Sequence, residues 1–239
     1  MRKSAPRRGA SAADSRQLQL IELPAPAFKA RGSLARALQR RRTIREIRDK
    51  TLPMQTLSNL LWAACGVNRS KGPFGTIGRT AASASNSQEI DVYVSLAQGT
   101  YRYEPLRHRL ELAASGDIRR YAISRGQAPA GAQAPVRLIF VVDIDKLVHT
   151  SGYVEPGLRD PVVQRSYYFV DTGLIAANVY LFASCLGLAA WFHNCDKSAL
   201  WAKLRLRPDQ RVLFAQTIGY PASNRIAERG QNVRRRARR

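Results

Sequence analysis

The 239-residue sequence predicts an α+β domain, a mixed β-sheet flanked by helices, and three observations carry that expectation. Four β-prone runs, Ile90 to Ala97, Tyr101 to Tyr103, Val136 to Asp143 and Val212 to Gly219, are too widely spaced for a simple meander and are separated by helical segments. Apolar residues recur at helical spacing in Leu34, Ala37 and Leu38, and again in Leu57, Leu60, Leu61, Ala64 and Cys65, where Gly66 stops the run. Hydrophobic residues make up 45% of the chain, enough at this length for one sizeable core.

The elements are taken in chain order. Residues 1–32 read as a basic, largely flexible segment, and 33–224 as the folded domain. Asn68 to Thr80 is a loop; its Gly72, Gly75 and Gly78 do not have phosphate-loop spacing, and a helix rather than a strand precedes them. Asp117 to Tyr121 reads as a short helix and Gly126 to Pro135 as a loop. The apolar stretch from Phe169 to Phe192 is long enough to span a bilayer. Asp171, Thr172 and Asn178 interrupt it, and Gly173, Ala176, Ala177, Ala183 and Gly187 suit close packing, so it is read as the buried helix of a dimer core. Residues 225–239 form an arginine-rich tail.

Charge and cysteine content bound the function. The formal net charge is +22. Residues 1–16 carry four arginines and one lysine against Asp14, and residues 225–239 carry seven arginines against Glu228, so +4 and +6 sit in the tails and +12 in the body. Such charge attracts anions and gives the tails a nonspecific affinity for nucleic acid, without a recognition-helix motif. Arg7-Arg8 is not followed by an apolar run, so no export signal is read and the cytoplasm is the expected location. Cys65, Cys185 and Cys195 are odd in number and lack paired spacing, which argues against a disulfide framework, and Cys65 and Cys185 read as small hydrophobes. His108, His149 and His193 show no metal-ligand spacing. No nucleophile-elbow, Walker or paired His-Glu motif is present.

Two stretches carry chemistry. Arg41-Arg42-Thr43-Ile44-Arg45 places three guanidinium groups and a hydroxyl within five residues, a set that can fork onto phosphate and stay charged at any working pH. The alternative is a solvated basic helix end, favoured by the macrodipole. Ser83, Ser85, Asn86 and Gln88 lie in a run of small polar residues before a strand; Asn86 and Gln88 each offer a donor and an acceptor, the complement of a uracil-like edge.

Combined with the run to Gly187-Leu188-Ala189 and the terminal Ile218-Gly219-Tyr220-Pro221, these stretches resemble the FMN-dependent nitroreductase family over about Ser33 to Ala222. Residues 57–67 and Tyr101-Arg102-Tyr103-Glu104-Pro105 are most similar to the SagB-type branch, the dehydrogenases of thiazole/oxazole-modified peptides, and its stand-alone relatives. The resemblance implies a nitroreductase-like homodimer with flavins between subunits, and hydride transfer from NAD(P)H through FMN to a small acceptor such as a nitroaromatic, quinone or enone by ping-pong kinetics. It implies that Arg41 meets the FMN phosphate, that Arg42 and Thr43 donate to phosphate or ring, and that Arg45 acts at the pyrimidine edge as the catalytic charge. Ser83, Ser85, Asn86 and Gln88 would contact the flavin held mainly by the other subunit. The backbone around Phe192, His193 and Asn194 would approach the ring, and Arg225 would close the phosphate site. Thr43, Ala84 and Glu89 depart from the family's usual residues.

Two alternatives remain. The Lys-Tyr pair of azoline dehydrogenases is not found, although Arg165-Ser166-Tyr167-Tyr168 lies near its expected region. The second is a basic nucleic-acid-binding protein that keeps the fold without turnover.

Overall fold

A computed structural model describes residues 20–28, 33–127, 134–151 and 160–222. Within the N-terminal segment expected to be flexible, residues 20–28 are fixed. Strand β1 (Leu20–Glu22) pairs with a later strand, Ala27 N–H donates to Asn59 Oδ1, and Gln55 Nε2 donates to Ala25 O.

Helix α1 (Leu34–Arg40) starts at Ser33, whose Oγ accepts from Arg36 N–H. The two-residue strand β2 (Ile47–Arg48) comes next. Helix α2 (Met54–Cys65) buries Leu57, Leu60, Leu61 and Ala64, the periodic face read from the sequence, and ends where a Cβ on Gly66 would lie 2.5 Å from Trp62. The Asn68 to Thr80 loop contains a small ladder, β3 (Val67–Arg69) with β4 (Gly78–Arg79).

The main sheet is built on β5 (Ile90–Leu96), β6 (Gly99–Glu104), β7 (Arg109–Ser115) and β8 (Val136–Asp143), with helix α3 (Ile144–Val148) after β8. Helix α4 (Pro161–Leu186), strand β9 (Ala189–His193), helix α5 (Lys197–Lys203) and the 12-residue β10 (Gln210–Pro221) complete the chain's described elements. Strand order is β1-β7-β6-β5-β8-β10-β2, with β9 on β10 as well. Both β9 and β2 lie on the side of β10 away from β8, in consecutive stretches of its length.

The α+β layout is as the sequence predicts, with two corrections inside the sheet. The described ladders are all antiparallel, where mixed pairing was expected. Strands β8 and β9 do run in the same direction, but β10 lies between them and pairs antiparallel with both. Strands β5, β6 and β7 also form the meander that the strand spacing argued against. Arg109–Ser115 was not read as a strand because Arg109, Glu111 and two alanines weaken its apolar alternation, whereas the fold pairs it between β1 and β6.

The stretch from Phe169 to Phe192 is also corrected: it is helix, cap and strand, not one helix. Asp160 accepts from Val162 N–H and Pro161 occupies the first turn, so α4 begins eight residues earlier than the apolar run. Gly187, at φ +70°, takes the left-handed conformation, Leu188 N–H returns to Ala183 O, and β9 begins two residues later.

Side-chain alternation divides the core into two layers. Val92, Val94, Leu138 and Phe140 face α2 and α4, packing on Leu60, Leu61, Ile175 and Val179. Tyr93, Ile139, Val141 and Val212 face the other way, onto Leu200, Leu204 and Cys195 around α5. Each fully buried leucine in these layers contributes about 1.5–3 kcal/mol from area removed from water. Cys65 and Cys195 are buried, while Cys185, expected to pack as a hydrophobe, is exposed.

Candidate functional site

The arginine segment begins at a helix end and runs on beyond it. Helix α1 stops at Arg40, and Arg41 has already left helical geometry with ψ 122°. The backbone beyond Arg41 is pinned from behind. Ile44 N–H donates to Ala190 O at 3.0 Å, and Ile44 packs on a small cluster of Ile47, Ala134 and Ala189. Beyond it, Ile47 and Arg48 pair with Pro221 and Tyr220 of β10. Inward isoleucines therefore fix a backbone whose guanidinium groups point outward: Arg41, Arg42 and Arg45 are exposed. Arg41 lies over the Tyr180 ring at 5.5 Å and Arg45 over the Trp191 ring at the same distance. Neither is in an ion pair among the described residues.

Thr43 is tied to α4. Tyr180 Oη accepts from Phe192 N–H at 2.8 Å and shares a hydrogen bond with Thr43 Oγ1 at 3.1 Å. One tyrosine thus joins α4, β9 and the arginine segment. Ser184 Oγ adds a second tie, donating to Ala37 O of α1.

At the end of β9, His193 is buried between Trp191 and β10. Its Nδ1 donates to Asn194 O at 2.8 Å, because a carbonyl can only accept, so Nε2 accepts from Thr217 Oγ1 at 2.7 Å. Burial pushes its pKa down to about 4, which leaves the imidazole neutral and committed to holding β9 on β10. Phe192 packs at a tilt on Phe214, 4.9 Å between ring centres, and its N–H is taken by Tyr180. Arg225 lies outside the described residues.

The second stretch is a strained loop. Ser85, Asn86 and Gln88 have φ of +48°, +57° and +54°, three positive values within four non-glycine residues. The amides expected to face a ring are engaged within the chain. Asn86 Nδ2 donates to Thr76 Oγ1 and to Ile77 O, and Gln88 Nε2 donates to Ile77 O at 2.7 Å and to Asn86 Oδ1 at 3.1 Å. Ser83 Oγ accepts from Gln88 N–H, closing the loop, and Ala84 N–H donates to Asp171 on α4.

The two stretches attach to the same helix, at Tyr180 and Asp171. Nine residues separate these anchors, about 13 Å along the axis and two and a half turns, which puts them on opposite flanks of α4. Between the flanks runs an exposed apolar stripe of Val170, Gly173, Leu174 and Ala177, with Val170 60% and Leu174 41% exposed. The inner face of α4, with Ile175, Ala176, Val179 and Ala183, belongs to the core. One chain therefore presents the arginine segment on one side of the stripe and the serine loop on the other.

The sequence model of the nitroreductase family matches residues 38–220, which covers both stretches, α4 and β9. The chain belongs to the nitroreductase family. Membership makes it an oxidoreductase of a flavin-using family. A candidate nitroreductase of Ralstonia eutropha, known as a crystal structure, is 32% identical, superposes with a TM-score of 0.74, and is covered over 97% of its length by 93% of this chain. A candidate nitroreductase of Methanocaldococcus jannaschii is 29% identical over 158 residues, 63% of this chain and 73% of that protein. A chain of the E. coli microcin synthetase McbBCD complex shares the fold at 18% identity and a TM-score of 0.63, over 92% of this chain and 85% of that one.

Sequence reasoning missed Tyr180, Trp191, Glu89 and Asp171. Asp171 had a signal, a carboxylate inside an apolar run, and Glu89 another, an acid where the nitroreductase family usually has an aromatic residue. Tyr167 and Tyr168, weighed as azoline-dehydrogenase residues, fall in the first two turns of α4, and Tyr168 packs on the main core.

Proposed function

We propose that this nitroreductase-family protein is an FMN-dependent oxidoreductase, passing hydride from NAD(P)H to a small organic acceptor at a site completed by a second copy of the chain. The observation that supports this reading is the placement of the two cofactor-type segments on opposite flanks of an exposed apolar stripe, so that a second α4 on the stripe would bring the arginine segment of one copy towards the serine loop of the other.

The residues present fit the cofactor. Arg41 is an exposed guanidinium outside any ion pair among the described residues, on a backbone fixed from behind, as a bidentate phosphate partner requires. Arg45, fixed over Trp191, supplies positive charge where electron-rich ring edges are stabilised. The loop's positive-φ residues are strained, and such strain clusters at ligand clamps. Bound FMN supplies the two-electron chemistry, which side chains alone do not. The chain's part is to hold phosphate at Arg41, Arg42 and Thr43, to present Arg45, and to lay Ser83 to Gln88 against the ligand. His193 serves as a buried strut, since both ring nitrogens are engaged.

Purified protein is expected to be yellow, dimeric by sedimentation, and bleached by NADH or NADPH. A colourless protein that FMN does not reconstitute would sink the enzyme reading and leave a basic binding protein on the same fold.

A further inference from the structure

Beneath the serine loop lie two buried carboxyl groups that the proposed chemistry does not use. Glu89, which comes directly after the loop, has no exposed surface, and Asp171 of α4 is 4% exposed. Both line one small cavity with Cys65, Arg79, Ala81 and Ile175. Glu89 Oε2 accepts from Ser87 Oγ at 2.6 Å, and Asp171 Oδ2 accepts from Ala84 N–H at 2.8 Å. Among the described residues, Glu89 Oε1 is buried with no donor. Neither carboxyl is in an ion pair among the described residues, although Arg79 lines the same space.

Two full negative charges facing each other in such an enclosure are unfavourable, whereas one proton between them gives each carboxyl a partner. We propose that Glu89 and Asp171 hold a single proton between them and that this proton fastens the Ser83–Gln88 loop to α4, so that flavin retention falls as the pH rises above neutrality. The cofactor half of this statement rests on the function proposed above; the shared proton does not.

The geometry gives the proton its leverage. The carboxyl pair ties the loop at both ends, at Ala84 through Asp171 and at Ser87 through Glu89, and the strained residues Ser85 and Asn86 lie between the ties. Strained conformations persist only while their surroundings over-determine them. Loss of the proton sets two carboxylates against each other, and movement of the loop relieves both the repulsion and the strain. Burial and the neighbouring Asp171 push Glu89 up to about 7, and burial raises Asp171 as well. The other titratable groups lining the cavity are Cys65 on α2, pushed up to about 11 by burial, and Arg79 on β4; Asp91 on β5, which acts on Cys65, is paired with Lys146 at 2.7 Å. Of these, Arg79 alone offers compensating charge. Because the folded protein keeps a proton that the unfolded chain releases, this contribution to stability is complete below the ordinary carboxyl value of 4.5 and is lost as the pH rises through about 7.

The test uses the full chain and measures one quantity between pH 7 and 9, where the FMN phosphate, with its second pKa near 6, has already ionised, and a second between pH 4.5 and 8, where the folded protein keeps a proton that the unfolded chain releases. The first is the FMN dissociation constant by equilibrium dialysis. The second is the thermal midpoint of flavin-free protein. In the wild type the dissociation constant should rise with pH, towards a limit of about tenfold per pH unit for one required proton, and the midpoint should fall relative to that of Glu89→Gln, in which His193 still titrates. Glu89→Gln carries a permanent N–H for Asp171 and should flatten the dissociation profile and remove the carboxyl pair's fall from the midpoint profile, while binding FMN at pH 7 as the wild type does. Asp171→Asn supplies the same donor from the other side and serves if the first variant does not fold. A flat wild-type dissociation profile, or a variant whose profiles run parallel to those of the wild type, would overturn the proposal. If FMN binds at no pH, the flavin reading fails, and the midpoints of flavin-free protein alone decide whether the proton is shared.

Discussion

The arginine segment and the serine loop are both short polar motifs, yet the fold treats them in opposite ways. The arginine segment is held from behind by inward-facing isoleucines and keeps its guanidinium groups exposed. The serine loop has a strained backbone, and its amide side chains are bound within the chain. The contrast is physical. A guanidinium carries its binding capacity at the end of a long side chain, so its backbone needs only to be held still. Small polar residues bind through groups close to the backbone, so the loop itself has to be shaped, and neighbours such as Asp171, Ile77 and Glu89 hold that shape.

The largest expected effect comes from removing the first region's charge. Arg41→Ala should weaken FMN binding by about 1.5–3 kcal/mol, the range for a hydrogen bond to a charged group, with the thermal midpoint of the flavin-free protein unchanged. Equilibrium dialysis checks it; an unchanged constant means that Arg41 is only a solvated cation.

Separating the two regions comes next. A Cβ on Gly173 meets nothing within 4 Å among the described residues of the single chain, so Gly173→Leu should leave the monomer intact. Against a second copy it should overpack, costing about 1–3 kcal/mol, and sedimentation should show dimer and flavin lost together. A variant that becomes monomeric while keeping FMN would show that both regions serve one chain.

The comparison sharpens with pH, because each region has a buried titrating neighbour of opposite sign. His193, beside the arginine segment, is held at about 4 against an ordinary 6.5, so the unfolded state binds the extra proton and stability falls as the pH drops from 6.5 towards 4. The loop's carboxyl pair loses its contribution in the other direction. The two windows overlap and offset each other, so His193→Gln should remove the rise between pH 4 and 6.5 and expose the carboxyl pair's fall, a difference from the wild type of about 1–2 kcal/mol at pH 5.

Arg45→Ala should cost less in affinity, about 0.5–1 kcal/mol, since its charge is solvent-screened. Its signature is a lower midpoint potential of bound flavin by spectroelectrochemistry. The smallest effect is at Ser85, where φ is +48°. Ser85→Gly removes the left-handed penalty and should raise the thermal midpoint of flavin-free protein by a few degrees, about 0.5–1 kcal/mol, while loosening the loop's grip on FMN.

Much of this was legible in the residues. The faces of α2, the central strands β5, β8 and β10, and the location of both polar motifs come from local periodicity and composition. The family comes from the order of the motifs. Less visible were β7 and β9. Strand β7 mixes charged residues with alanine, and β9 is an apolar continuation of a helix, cut from it by the left-handed conformation of Gly187, so neither has a distinct local period.

The sequence by itself determined which side chains could meet phosphate and a polar ring, because charge and donor type belong to the residue. Tertiary structure decided their relation. Tyr180 and Asp171 are both single positions on α4, and only the packed helix shows that two and a half turns set their attached segments on opposite flanks of an apolar stripe. Glu89 and Asp171 are 82 residues apart in sequence, and each alone would read as an ordinary carboxylate. Burial in one enclosure makes them a pair, because the cost of charge depends on the surrounding medium and not on the order of residues.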